Sequence, residues 1–294
     1  MSPTYIKRSL EPVLKKAASE FPAVVLTGPR QSGKTTLFKH LFGKSYQYVS
    51  LEPPDVRASA IEDPRSFLEL YPSPVIFDEV QYAPDLLPYI KEKIDAARDK
   101  SGQYLLTGSQ NLLLMERVTE SLAGRAAMLR LLPLSQREAE RQPRAPLPWE
   151  SKRSSFKASK FSYRELWKGF LRGSYPELKA HPRRDVNLWH ASYVQTYLER
   201  DVRTLRQVGD LTQFQSFLRA LAARSAQLLN ITDLARDLGV AVNTAKAWLS
   251  VLEATYQVTV LSGKLKLAQL RIADAPPSRD VSLETGQSLT VHAQ

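Results

Sequence analysis

The sequence contains no cysteine in its 294 residues, which excludes disulfide frameworks and thiolate metal sites. Histidine is scarce as well, and the four histidines lack the spacing of a metal-binding motif: His40, His181, His190 and His292. No run of eighteen apolar residues is present, and the polar start is not typical of a secretory signal. These absences predict a cytoplasmic protein without a membrane partner.

Positive charge is concentrated in one central segment. Residues 141–184 carry 12 Lys and Arg against 3 Asp and Glu, a net charge of +9, whereas the segments before and after each have a net charge of +1. Such a segment attracts nucleic acid or acidic protein, but a solvated linker is the more common use of a charge run. The proline, serine and basic residues between Arg141 and Lys160 favour a linker or exposed loop.

Five short apolar runs punctuate the first part of the chain. They cover residues 23–27, 46–51, 74–79, 103–108 and 126–132. Each run is mostly continuous rather than alternating, which is typical of strands buried on both faces of a parallel sheet. Helical patterns separate the runs, so the sequence predicts an α/β fold with crossover helices.

The stretch LTGPRQSGKTT fits the P-loop pattern, with an apolar run before it and a helical pattern after it. Glycines in such a loop let successive backbone N–H groups point at the β-phosphate of a nucleotide. A lysine then neutralises the β- and γ-phosphates, and a threonine hydroxyl binds Mg²⁺. The predicted nucleotide-binding residues are Gly28, Pro29, Arg30, Gln31, Ser32, Gly33, Lys34, Thr35 and Thr36. Lys34 is also a candidate catalytic residue, and Thr35 a candidate metal ligand.

Two acidic residues end the third apolar run, in the stretch PVIFDEVQ. Apolar runs followed by acids are common and are often without function. After a P-loop, however, the first acid typically holds the Mg²⁺ water shell and the second polarises the attacking water. We therefore predict a metal role for Asp78, and the role of catalytic base for Glu79.

Two further polar positions follow the fourth apolar run and precede the fifth. Thr107 and Ser109 lie in YLLTGSQN, where a hydroxyl can sense the γ-phosphate or orient water; a simple turn at Gly108 is the alternative. Arg125 follows the flexible Gly124, so it is a candidate arginine finger in its own site or in that of a neighbouring subunit. A surface arginine in a loop is the alternative.

Residues 231–258 have the pattern of a helix–turn–helix, with Thr232 near the start of the first helix and Gly239 at the turn. DNA binding is one interpretation. However, residues 228–256 have a net charge of −1, whereas a DNA-reading helix normally supplies cations for the phosphates. The charge favours a winged-helix-like domain that packs on other parts of the chain or mediates assembly.

As a set, LTGPRQSGKTT, VIFDEVQ, LLTGSQN, SLAGR and LLPLSQRE resemble the prokaryotic AAA-like P-loop ATPases that carry a C-terminal domain of unknown function. FLRGSYPEL and YVQTYLERDVRTL resemble the start of that second domain. The resemblance covers about residues 1–261. The sequence after Leu261 departs from the family pattern and ends early, as a truncated chain would.

The resemblance implies a five-stranded AAA-type sheet and a nucleotide site. ATP would bind at Gly28, Gly33, Lys34 and Thr35, with Asp78 and Glu79 as the acidic pair. The resemblance also implies that Ser109 is a sensor and that Arg125 contacts the γ-phosphate side.

The sequence thus predicts four segments: an ATPase domain (1–135), a basic linker (136–160), a helical domain (161–261) with its helix–turn–helix at 231–256, and a poorly ordered tail (262–294). The predicted function is Mg²⁺-dependent ATP hydrolysis through Walker A and Walker B motifs, coupled to an unidentified partner or a DNA-related process, with a homo-oligomer as one arrangement. The alternative is a nucleotide-sensing DNA-binding regulator with little hydrolysis.

Overall fold

The computed structural model describes residues 5–109, 120–146, 162–197, 210–261 and 288–291. The chain divides into two compact units, residues 1–190 and residues 191–293. Each unit is described by itself below. Among the described residues, no helix is both long enough and apolar enough to cross a membrane.

A five-stranded parallel sheet forms the centre of the first unit. Its strands are β1 (Ala23–Gly28), β2 (Gln47–Ser50), β3 (Val75–Asp78), β4 (Tyr104–Ser109) and β5 (Ala126–Arg130). Their order across the sheet is β2-β3-β4-β1-β5, and every pair is parallel. The predicted α/β fold with a parallel sheet is therefore confirmed, and each predicted strand matches an observed one to within two residues at either end.

Helices cover both faces of this sheet. The helices of the first unit are α1 (Glu11–Glu20), α2 (Lys34–Phe42), α3 (Pro54–Glu62), α4 (Pro64–Leu70), α5 (Leu87–Ala96), α6 (Gln136–Ala139), α7 (Tyr163–Arg172) and α8 (Pro176–Ala180), with 3₁₀ turns at Val80–Tyr82 and Pro84–Leu86. One apolar layer packs β1, β3 and β4 against α3, α4 and α5. The other packs the same strands against α1 and α2. Burial on both faces explains why the strands read as continuous apolar runs.

The polypeptide after α7 is part of the first unit. The N–H of Leu134 donates to the carbonyl of Ser174 at 2.8 Å, and the side chains of Tyr175 and Leu178 are fully buried. The rings of Tyr175 and Trp189 lie 4.9 Å apart between centroids. Because of these contacts the compact unit extends to residue 190, beyond the domain boundary near residue 135 that the sequence suggests.

The second unit is mainly helical. Helix α9 (Val186–Tyr197) crosses the division between the units, and α10 (Leu211–Ala223), α11 (Ile231–Asp237) and α12 (Val242–Ala254) follow. Strand β6 (Val258–Leu261) pairs with the antiparallel strand β7 (Ser288–Val291). The α11–α12 pair corresponds to the helix–turn–helix pattern, and Gly239 at its turn has a left-handed φ of 66°. Apart from β7, the predicted tail lies outside the described residues.

Candidate functional site

The loop from Gly28 to Gly33 connects the end of β1 to the start of α2. Gly28 has a φ of +151°, and a Cβ atom placed on it would lie 2.1 Å from the carbonyl oxygen of Leu131. Gly33 precedes α2 with a φ of +93°, which is strained for a residue with a side chain. The P-loop pattern is therefore placed between a strand and a helix, and its first glycine is required by the close approach of Leu131.

Lys34 directs its ammonium group back over the loop. Its Nζ donates to the carbonyl oxygen of Gly28 at 3.0 Å and to that of Pro29 at 2.9 Å. The residue is buried, with 5% of its surface exposed. Helix α2 begins at Lys34, so the partial positive charge of the helix N-terminus lies beside the ammonium group. This is a site built for an anion.

The other residues of the loop surround this point. Ser32 is fully buried, whereas Gln31 and Thr36 are exposed. Gln31 has a φ of 60°, a left-handed conformation that is uncommon outside glycine. Together with Pro29 and Arg30, these residues form the chain between the two glycines and the first turn of α2.

Asp78 ends strand β3 and collects hydroxyl donors from three other elements. Thr35 Oγ1 lies 3.1 Å from Asp78 Oδ1 and 2.9 Å from Oδ2. The hydroxyl of Tyr48, on β2, donates to Oδ2 at 2.6 Å, and that of Thr107, on β4, donates to Oδ1. Burial and the hydrogen bond to Asp78 both raise the pKa of Tyr48. The parallel strands end at one edge of the sheet, which is why their side chains meet here.

A magnesium ion suits the oxygen atoms at this point. A carboxylate and a hydroxyl are the hard ligands that Mg²⁺ prefers, and Mg²⁺ usually takes only one or two protein ligands together with waters and substrate phosphates. Among the described residues, no cluster of three or more His, Cys, Asp or Glu offers an alternative metal site. The Thr35 hydroxyl and the Asp78 carboxylate are oxygen ligands of this kind, and their metal role stays a prediction.

Glu79 follows Asp78 and has a left-handed backbone conformation, with φ 59° and ψ 48°. A left-handed conformation at a residue other than glycine is strained, and such strain clusters at functional sites. The N–H of Glu79 donates to Thr107 Oγ1 at 3.3 Å, and the side-chain amide of Gln81 donates to Glu79 Oε2. The backbone turns at this residue, which sends its carboxylate in a different direction from that of Asp78.

A pocket of about 470 Å³ opens beside the loop, and all its walls belong to the first unit. Gly33, Lys34, Thr35 and Glu79 form its polar end. The other walls come from the N-terminal segment, from the chain after β5 and from the chain around α8. Their apolar part is formed by Tyr5, Ile6, Leu134, Pro176 and Ala180, and their polar part by Arg8, Glu177 and His181. The pocket thus continues from the phosphate end toward a surface suited to an aromatic base.

The structure does not bring Arg125 to this pocket. Arg125 precedes β5 and lies beside the start of β1, whereas the loop follows the end of β1. The length of β1, about 17 Å, therefore separates Arg125 from the loop. Its guanidinium forms a two-point ion pair with Asp95, at 2.6 and 3.0 Å, and this partner raises the pKa of Arg125. Ser109 ends β4, but its side chain lies outside the described residues, so the sensor role stays a prediction.

Sequence reasoning missed Arg8, which contacts the loop and lines the pocket. Only 6% of its surface is exposed, and its guanidinium donates to three backbone carbonyls and pairs with Glu138. One of those carbonyls belongs to Ser32 in the loop itself. A single arginine in a basic N-terminal stretch gives no local signal of such a contact.

Residues 228–256 contain two cations, Arg236 and Lys246, and the structure pairs Arg236 with a carboxylate of its own helix. Arg236 lies 2.9 Å from Asp233, one turn away on α11, and Arg224 on α10 pairs with Asp237. These ion pairs are consistent with the net negative charge of the segment. The basic stretch at 147–161 lies outside the described residues.

Comparisons with known proteins agree with this geometry. Residues 20–140 match the family model of an AAA domain, and residues 163–265 match a domain of unknown function, DUF8612. Two uncharacterized proteins, Mb2031c of Mycobacterium bovis and Rv2008c of Mycobacterium tuberculosis, are each 33% identical over 244 residues. Those matches cover 81% of this chain but 49% of each relative, so the chain spans about half their length.

One solved structure resembles the chain over nearly its whole length. It is the Walker-type ATPase PABY2304 of Pyrococcus abyssi, with a TM-score of 0.54 and 15% sequence identity. The match covers 98% of this chain and 94% of that one. At this identity the likeness concerns the fold, and it agrees with the parallel sheet described above.

Proposed function

Because the chain belongs to the AAA-like P-loop ATPases that carry a C-terminal domain of unknown function, we propose that it binds ATP with Mg²⁺ and hydrolyses it. The observation that carries the proposal is the contact between the Thr35 hydroxyl and the Asp78 carboxylate, which lie 2.9 Å apart; Thr35 directly follows Lys34 in the P-loop pattern. The P-loop and the acidic strand end, 43 residues apart in sequence, meet at this point.

In this proposal, Lys34 and the backbone N–H groups before α2 bind the β- and γ-phosphates, because they combine a fixed cation with oriented donors. Thr35 and Asp78 would hold Mg²⁺, which would neutralise part of the negative charge of the phosphates. The pocket walls formed by Ile6, Leu134 and Pro176 accept the base. The nucleotide therefore lies along the pocket, with its phosphates at the loop end.

Glu79 orients the attacking water and accepts its proton. The water oxygen forms a bond to the γ-phosphorus, and the bond between that phosphorus and the β–γ bridging oxygen breaks, leaving ADP and phosphate. Gln81 holds the Glu79 carboxylate through its side-chain amide and so affects the direction in which it faces. No partner or driven process is assigned by these contacts.

Arg125 lies at the end of the strands opposite the P-loop and cannot reach the site of its own chain. We propose that it contacts the nucleotide in the site of a neighbouring copy. The expected result is a specific ATPase activity that rises with protein concentration in the wild type and stays low and flat in Arg125→Ala. Arg65→Ala is the matched control, because Arg65 likewise forms a two-point ion pair with a carboxylate, that of Glu92. Equal rates for wild type and Arg125→Ala at every concentration would contradict this role.

The proposed function as a whole is tested by isothermal titration calorimetry of the intact protein. We expect saturable binding of Mg·ATP, weaker binding of ATP when EDTA removes the metal, and release of inorganic phosphate on longer incubation. The loss of affinity in EDTA follows from the pairing of Thr35 and Asp78 as oxygen ligands. Absence of any nucleotide heat from a folded sample, as judged by circular dichroism, would refute the proposal.

A further inference from the structure

Arg8 joins three parts of the first unit through one buried side chain. Its Nη1 donates to the carbonyl oxygen of Ser32 at 2.9 Å, and its Nη2 donates to those of Leu132 at 2.5 Å and Pro133 at 3.3 Å. Its Nε lies 3.3 Å from Glu138 Oε1, at the start of α6. The N-terminal segment, the P-loop and the chain after β5 are thus held by one guanidinium.

The Glu138 carboxylate accepts backbone hydrogen bonds as well as pairing with Arg8. The N–H of Ser9 donates to its Oε1 at 2.6 Å, and the N–H of Ser135 donates to its Oε2 at 2.8 Å as part of a capping box. Burial favours the neutral acid, but these amides and the charge of Arg8 outweigh burial and lower the pKa of Glu138. The carboxylate therefore stays charged and holds the guanidinium in place. This pairing also gives a structural role to Glu138, the last residue of the LLPLSQRE stretch.

The contact with Ser32 has a consequence for the phosphate end of the pocket. The carbonyl of Ser32 and the N–H of Gly33 belong to one planar trans peptide unit, in which the two groups point in opposite directions. Fixing the carbonyl on Arg8 therefore fixes the direction of the Gly33 N–H. A Cβ placed on Gly33 would lie 3.8 Å from Arg8 Nη1, so the guanidinium is adjacent to that peptide.

We propose that Arg8 is a positioning residue for nucleotide binding, which orients the Gly33 N–H by holding the Ser32 carbonyl of the P-loop. This inference rests on the proposed function, because it assigns a residue to the same phosphate site. Arg8 also lines the pocket, but its hydrogen bonds go to backbone oxygens and its ion pair to Glu138, so the role assigned to it acts through the loop.

The test compares Arg8→Ala, Arg8→Lys and the control Arg65→Ala in the full chain. Arg8→Ala is expected to raise the dissociation constant and the KM for Mg·ATP about 10- to 100-fold, the range for losing an interaction with a charged group. The kcat should fall far less, because Asp78 and Glu79 are held by β3 and β4. Arg8→Lys keeps the charge but loses the planar fork, so it should give an intermediate KM. Arg65→Ala should match the wild type.

A second readout needs no nucleotide. Hydrogen exchange of the amides at residues 28–35 is expected to be about 10-fold faster in nucleotide-free Arg8→Ala than in the wild type, because the loop is then held less firmly. If wild type binds no Mg·ATP, the proposed function fails, while this exchange measurement still tests whether Arg8 holds the loop. If Arg8→Ala does not fold, Arg8→Lys decides both readouts.

A merely structural role gives a different result. It would reduce the fraction of active protein, which lowers the apparent kcat and leaves KM unchanged. Wild-type KM together with wild-type exchange at residues 28–35 in a folded Arg8 variant would overturn the inference.

Discussion

Glu79→Gln is expected to bind Mg·ATP nearly as tightly as the wild type and to hydrolyse it at least about 100-fold more slowly, the range for removal of a general base. Glutamine has the same shape but cannot accept a proton, so only the step that needs the carboxylate is lost. The groups proposed to bind the phosphates lie on the P-loop, and those proposed to hold Mg²⁺ are Thr35 and Asp78, so all of them are unchanged. Single-turnover phosphate release measures the chemical step, and calorimetry measures the affinity.

Glu69→Gln is the matched control for this experiment. Glu69 is an exposed glutamate on α4, so its substitution should leave both the rate and the affinity at wild-type values. If Glu79→Gln releases phosphate as fast as the wild type, Glu79 is not the base. The strained backbone at Glu79 would then need another explanation.

Lys34→Met is expected to weaken Mg·ATP binding about 100-fold or more, with turnover lost accordingly. Methionine keeps the aliphatic stem but removes the ammonium group, which in the proposal is the one side-chain cation of the P-loop that meets the β- and γ-phosphates. Charge-assisted bonds to phosphate are among the stronger polar interactions, and their loss inside a buried loop is poorly replaced by water. Titration calorimetry against Mg·ATP checks the prediction.

Lys44→Ala is the control for that variant, since Lys44 is an exposed lysine just after α2 and faces no part of the pocket walls. Thermal melting without nucleotide should be compared as well, because Lys34 Nζ also binds the carbonyls of Gly28 and Pro29. Undiminished Mg·ATP affinity in a folded Lys34→Met protein would show that the nucleotide does not use the loop.

Much of the first unit could be predicted because its signals are local. The five apolar runs predicted five strands, since a strand buried on both faces must be apolar at nearly every position. The succession of glycines, lysine and threonine predicted a tight loop between a strand and a helix. The structure places Gly28, Gly33 and Lys34 in that loop, and it brings Thr35 within 2.9 Å of Asp78.

Other features depend on contacts between distant parts of the chain. The order of the strands places β4 beside β3, so Thr107 meets Asp78. Arg125 precedes β5, which runs parallel to β1, and therefore lies at the opposite end of the strands from the P-loop. Tyr48, on β2, also reaches Asp78, although nothing in its neighbourhood of the sequence indicates a site.

The sequence by itself determined the strand–loop–helix unit and the identity of the groups that meet a phosphate, because both follow from residue types at fixed short spacings. Only the tertiary structure decided which side chain from a distant part of the sequence contacts the loop. Arg8 and Leu132 are 124 residues apart, and their hydrogen bond forms because the parallel sheet places the end of β5 beside the end of β1. Local spacing in the sequence does not predict such a hydrogen bond, because it depends on how the strands are arranged in the folded sheet.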